Sequence, residues 1–354
     1  MKKILSLVLA LCMVLAVAAA FAESKSPVDG LTVAFIPKVS GNSFFEAAND
    51  GAQKYAAGWG LTVDYIGSPE ATVTKQLELI QQAIDKGVNA ICISSVDATA
   101  LDEKLQEAQE AGIYVSTWDS DVSPDSRALM VSQGTAAVLG PMLVEMGVDS
   151  LKERGKDVDG EIKYVWHFSN PSVADQNSWY VAGDAYIKEK YPNWVAVSEP
   201  YYSEQDAQKS VSIGEAVLEA HPDVDLIICN DSTALPGQCK AAQNKGLTAN
   251  DVTITGFCPP SGMTEYLEAG ICNRWGLWDC GIQGAMGCYL AAYISAGNTV
   301  HVGDVIDIPD IGPVTILANS DLVEGQETAP ENNGVVLLPE RVVFTKDNVA
   351  NYNF

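Results

Sequence analysis

Short apolar runs alternate along this chain with longer segments whose apolar residues recur every three or four positions. Leu31–Pro37, Leu61–Ile66, Ala90–Ser95 and Ile113–Trp118 have strand character, and Phe45–Trp59 reads as a helix after the first of them. Val73, Leu77, Ile80 and Ile84 share one helical face that Gly87 closes, and Leu101, Leu105 and Ala108 mark a third helix. Strand followed by amphipathic helix is the signature of βαβ units, which bury a parallel sheet between two helical layers. The pattern then restarts. Strands at 162–168, 194–198, 226–229 and 252–257 alternate with helices at 177–190, 207–220 and 234–245. Residues 258–354 hold one more strand and helix and then a β-rich tail. The expected fold class is therefore α/β, with two doubly wound parallel-sheet lobes that repeat an architecture without repeating a sequence.

The first segment departs from this pattern. Lys2 and Lys3 precede a nearly unbroken apolar stretch, residues 4–19, and Ala20-Phe21-Ala22 has the small-x-small form of a cleavage site. Residues 1–22 are expected to be a signal peptide, and the rest an exported, soluble protein on the periplasmic or extracellular side of a membrane. No later run is long and apolar enough to span a bilayer. A formal net charge of −25 repels phosphate backbones and argues against a nucleic-acid partner. Seven cysteines follow the leader, at 92, 229, 239, 258, 272, 280 and 288, without a CxxC among them. Their apolar surroundings suggest buried small hydrophobes. Cys272, Cys280 and Cys288 lack a nearby histidine, so no metal site is expected.

Ligands of open parallel sheets bind beyond the carboxyl ends of the strands. At those positions this sequence places Lys38, Phe44 and Phe45, then Trp118 and Asp119, then Asp175 and Gln176, then Asn230, Asp231 and Ser232, and finally Trp278 and Asp279. Carboxylates accept charge-assisted hydrogen bonds from hydroxyls, amides both donate and accept, and aromatic faces cover the C–H side of a small ring. The set describes a cleft for a small polyhydroxylated ligand. Each aromatic taken singly is as consistent with core packing, and Asp119 or Lys38 with a turn. GxSxG, HExxH, P-loop and GxGxxG signatures are all missing, and nothing marks Asp119 or Asp175 as the raised-pKa acid of a glycosidase. A binding protein without cofactor fits better than an enzyme.

These residues resemble periplasmic substrate-binding proteins of the ribose-binding type and, within that group, the autoinducer-2-binding proteins of Lsr transporters. The resemblance covers nearly all of the chain after the leader. It rests on Val33–Lys38, Thr117–Asp121, Gln133–Thr135, Asp175–Asn177 with Trp179, Gly276–Asp279 and Gly334–Phe344. It implies two lobes joined by a three-crossover hinge, expected here as 30–121 plus 259–298 and 122–258 plus 299–354. It implies a monomer that closes on its ligand and docks on an ABC transporter permease; the alternative from a different class is a signalling co-receptor for a chemoreceptor or sensor. The family's ligand-holding lysine, two aspartates and glutamine fall on Lys38, Asp119, Asp175 and Gln176. A proline and an alanine of that family are replaced by Asn230 and Ser232. The ligand expected from the resemblance is the cyclic tetrahydroxy form of autoinducer-2. A pentose or 6-deoxyhexose such as rhamnose is the alternative that the two replacements raise.

Overall fold

The computed structural model describes residues 26–354, so the expected signal peptide lies outside the described residues. Strands β1 (Thr32–Ile36), β2 (Thr62–Tyr65), β3 (Ala90–Ile93), β4 (Tyr114–Trp118) and β5 (Leu129–Ser132) alternate with helices α1 (Ser43–Trp59), α2 (Val73–Lys86) and α3 (Asp102–Glu110). Together with β14 (Gly334–Leu337) they form a parallel sheet in the order β14-β5-β4-β3-β1-β2. Its strands are buried on both faces. Val33, Phe35, Ala90 and Cys92 point into one core, and the alternate residues Ala34, Ile36, Ile91 and Ile93 into another.

A second parallel sheet is built from β6 (Lys163–Phe168), β7 (Val195–Ala196), β8 (Tyr201–Tyr202), β9 (Leu226–Cys229) and β10 (Thr253–Gly256). Helices α4 (Ala136–Glu153), α5 (Ala174–Lys190), α6 (Ala207–Ala220) and α7 (Ala234–Asn244) cover it. After the short helix α8 (Thr264–Glu268), β11 (Trp275–Leu277) extends this sheet by a bridge from Gly276 to Phe257 and pairs antiparallel with β15 (Val342–Phe344). Helix α9 (Cys280–Ser295) returns to the first sheet, where it packs on α1, β3, β4 and β5. Val305–Ile308 (β12) and Gly312–Thr315 (β13) form a hairpin tied to α1 by a hydrogen bond from Trp59 to the carbonyl of Pro309.

The chain thus passes between the sheets three times, at 133–135, 277–279 and 338–341. The strand pairing departs from the expected boundaries at 121, 258 and 298. Leu129–Ser132 and Gly334–Leu337 lie in the first sheet, and residues 259–277 stay with the second. The reason is that β14 is recruited from the tail to cover the edge of β5. Such an edge pairing has no local signal in an apolar run. The seven cysteines at 92–288 are all buried with free thiols, as small hydrophobes would be. Among the described residues no helix is long and apolar enough to cross a membrane.

Two glycines let α1 and α9 approach backbone to backbone. A Cβ on Gly51 would lie 2.3 Å from the Cα of Gly281, and one on Gly284 would lie 2.5 Å from the carbonyl oxygen of Ala48. Gly51→Ala is expected to cost about 1–3 kcal/mol, because backbone cannot step aside as a side chain can. Gly58→Ala on the same helix meets nothing nearer than 4.0 Å, and should stabilise by up to about 1 kcal/mol through helix propensity. Urea unfolding of the two variants separates these outcomes.

Candidate functional site

The site is assembled from strand ends of both sheets. Buried Gln76 on α2 fixes two of them, donating to the carbonyls of Pro37 (3.0 Å) and Ser94 (2.7 Å), while its own oxygen accepts from Val96. Lys38 follows directly and is 2% exposed. Asp119 leaves β4 with φ +61°, a left-handed conformation that costs a non-glycine residue energy and is common at functional sites. From the second sheet, Asp175 and Gln176 sit in the first turn of α5, and Asn230 and Asp231 follow β9.

The ammonium of Lys38 lies 2.8 Å from Asp119 and 3.3 Å from Asp175, so it bridges the two lobes. Ser94 donates to Asp119 at 2.7 Å and Ser120 donates to Asp175. Gln133, in the first crossing, donates to the Asp119 carbonyl (3.1 Å) and to the Asp175 carboxylate (3.4 Å). Its side-chain oxygen accepts from Gln283 at 2.9 Å, and Gln283 in turn accepts from the indole of Trp278 at 2.6 Å. The backbone oxygen of Gln133 accepts from Arg341 in the third crossing at 2.6 Å. One glutamine of the first crossing therefore bonds both acids and the third crossing directly, and reaches the second through Gln283.

Burial is the largest influence on Asp119. It outweighs the attraction of Lys38 and, with repulsion from Asp175, raises the carboxyl to about 6. Two carboxylates share one ammonium, so one negative charge stays uncompensated. Burial pulls Lys38 down, but the two aspartates more than offset it, and the ammonium is held above its ordinary value. Burial likewise raises Asp231 to about 6, against two backbone N–H donors at the start of α7.

Lys38, Asp119, Asp175 and Asp231 line a small cavity between the lobes, together with Phe44, Phe45, Gln176, Asn230, Ser232 and Trp278. The Gln176 oxygen accepts from Ser169, which leaves its NH₂ for a ligand. Asn230 donates to the Gln176 carbonyl at 2.7 Å. Three buried acceptors on the cavity wall lack a protein donor: Gln205 Oε1, Asn230 Oδ1 and Asp231 Oδ2. Buried polar atoms of this kind are satisfied by something in nearly every native protein, and a ligand's hydroxyls have the right chemistry.

Two expected site residues stand elsewhere. Trp118 is fully buried behind the aromatic wall, stacked on Phe44 at 6.0 Å and edge-on to Phe45 at 5.8 Å. The Trp118 ring turns into the apolar core behind that wall, and the next residue, Asp119, reaches the cleft. Asp279 caps α9, accepting from the Ile282 amide at 2.9 Å, and faces a separate groove beside α1. The cavity also contains Trp179, Gln205, Phe257 and Leu277. Gln205 follows β8, a strand of two residues that no apolar run announces, although Phe257 and Leu277 satisfy the strand-end rule.

Residues 33–299 match the family described as periplasmic binding protein domain. The chain belongs to that family. Periplasmic binding proteins are binding components rather than enzymes; they capture small sugars and work with ABC permeases. LsrB from Clostridium saccharobutylicum, solved in complex with AI-2, superimposes with a TM-score of 0.91 at 59% identity, covering 92% of this chain and all of its own. A D-ribose/D-allose-binding protein of Pseudomonas aeruginosa is 24% identical over 280 residues, 75% of this chain and 83% of the relative. A solute-binding protein from Clostridium phytofermentas with bound L-rhamnose shares the fold, with a TM-score of 0.78 at 24% identity over 91% of this chain and 98% of its own. The expected two-lobed fold and binding-protein class hold.

Replacing Lys38 by Met leaves two buried carboxylates facing each other and should cost about 3–5 kcal/mol at neutral pH. Folded Asp119 keeps its proton up to about pH 6, against 3.8 for an ordinary aspartate, so folding takes up a proton between those values and its contribution to stability declines as pH rises through them. The loss in Lys38→Met should therefore be smaller at pH 5 than at pH 7.5, as measured by urea midpoints.

Proposed function

We propose that this protein captures autoinducer-2, in its cyclic tetrahydroxy form, in the interlobe cavity and delivers it to an ABC permease. The observation that carries this reading is the buried group of Lys38, Asp119 and Asp175, with Gln176 beside it, inside a cavity whose remaining acceptors lack protein donors. The AI-2 complex of a protein 59% identical over 92% of the chain supports the choice of ligand. In this reading Asp119 and Asp175 accept ligand hydroxyls, while Lys38 and the Gln176 NH₂ donate. Phe44, Phe45, Trp179, Phe257 and Trp278 exclude water, which strengthens each of those bonds. Export through the N-terminal leader, and lobes that close around the ligand, complete the proposal.

A second reading, capture of a monosaccharide, draws on Asn230 and Asp231. Both place an unpartnered acceptor oxygen on the cavity wall. Thermal shifts with autoinducer-2, ribose, xylose, rhamnose and fucose decide between the two, since a ligand specific for the folded state stabilises it by about 2.7 kcal/mol at a hundredfold excess over Kd. Stabilisation by autoinducer-2 alone is the expected result, and a shift with one sugar but none with autoinducer-2 overturns it.

Asp175→Asn keeps the shape and removes the charge, and should weaken binding by about 1.5–3 kcal/mol, roughly ten- to a hundredfold in Kd. The ionised form of Asp119 is the one that accepts hydroxyls. Protonation near pH 6 should therefore weaken affinity by roughly tenfold for each pH unit below that value. Calorimetric titration at pH 7.5 and 5 measures the slope, and an affinity independent of pH would exclude Asp119 as an ionised acceptor.

A further inference from the structure

Ser232 lines the cavity, yet its hydroxyl is engaged by the other lobe. It donates to the side-chain oxygen of Asn42 at 3.1 Å. Asn42 answers with its NH₂, donating to the Thr233 hydroxyl at 3.1 Å and to the Ser232 carbonyl at 3.4 Å. Asn42 is the N-cap of α1, where the same side-chain oxygen accepts from the Phe44 amide at 2.9 Å. Phe44 and Phe45 on one side, and Asn230 and Asp231 on the other, are thus joined to this contact by one to three residues of chain. Ser232 and Gln205 line both the inner cavity and the outer groove between the lobes, so the contact stands at the boundary between them.

We infer that Asn42, Ser232 and Thr233 form a latch that holds the lobes closed and sets how long a ligand stays. The inference rests on the proposed binding function and adds to it a residence-time control exerted through the contact between the lobes. These hydrogen bonds join residues of different lobes, so they exist only when the lobes are together and favour the closed form over the open one. Bonds of that kind slow ligand escape and leave capture nearly unchanged. Across the cleft, the Ala98 amide donates to the Ser172 carbonyl at 3.1 Å, and the Asp97 carboxylate is hydrogen-bonded to the Ser172 side chain. Ser232 acts here as a positioning residue for closure.

The test is stopped-flow binding of autoinducer-2 to the full chain and to Asn42→Ser, Ser232→Ala and the double variant. Serine at 42 still caps α1 but is too short for Ser232. Each single variant should raise the dissociation rate about threefold to tenfold, with association within twofold. The double variant should be no faster than the faster single one, because both break the same contact. Ser232→Thr, which keeps the hydroxyl, should restore slow release. Ligand-free melting temperatures equal to that of the unaltered protein exclude a folding defect. Unchanged dissociation rates, or effects that multiply in the double variant, overturn the latch. If the unaltered protein ignores autoinducer-2, the ligand assignment falls on its own. The same cycle is then run with the sugar that stabilises the protein, and independent effects there overturn the latch separately.

Discussion

The ammonium of Lys38 lies within 3.3 Å of two carboxylates that belong to different lobes, and the rest of the interior is organised around that arrangement. Three charges removed from water cost more than their attraction returns unless hydrogen bonds complete their shells. Ser94, Ser120 and Gln133 supply part of that completion, and the remaining capacity faces the cavity. A cluster with one negative charge in excess favours partners that donate hydrogen bonds. It disfavours anions of any shape. Selectivity for neutral, hydroxyl-rich molecules follows from this charge count before any detail of fit.

The same cluster is held in place by contacts on every side. Gln76 pins the two strand ends that deliver Lys38 and Ser94, and the left-handed turn at Asp119 directs its carboxylate at Lys38. Behind Phe44 and Phe45 lies Trp118, which limits how far the aromatic wall can recede. The buried acceptors of Asp231, Asn230 and Gln205 complete the opposite wall from the second lobe. Both halves thus bring polar groups already oriented by their own backbones, so little ordering remains to be done when a ligand arrives.

Much of this was legible in the chain. Strands buried on both faces appear as short apolar runs, and the rule that sites lie past their carboxyl ends picks out Lys38, Asp119, Asp175, Gln176, Asn230 and Asp231. The rule fails where its premises do. Trp118 is the last residue of its strand, one position short of the cleft, and Asp279 serves a helix cap that any acid can serve. Gln205 escapes because β8 is too short to have a period. The tail strand Gly334–Leu337 joins the first sheet through a pairing set by long-range geometry, which no window of sequence contains. Ser232 is the subtler case. Its place beside the cavity follows from the strand end, but its bond to Asn42 depends on how two lobes meet.

Gln133 gathers the three crossings into one hydrogen-bonded point, with Arg341 on one side and Gln283 with Trp278 on the other. In the proposed closure, the lobes turn about an axis through that point, where the three covalent links are fastened together. Each lobe is then a lever with its fulcrum at the glutamine. In that closure a small turn at the glutamine is magnified at the far rim, so the aperture through which solute passes answers to the backbone angles of a handful of residues.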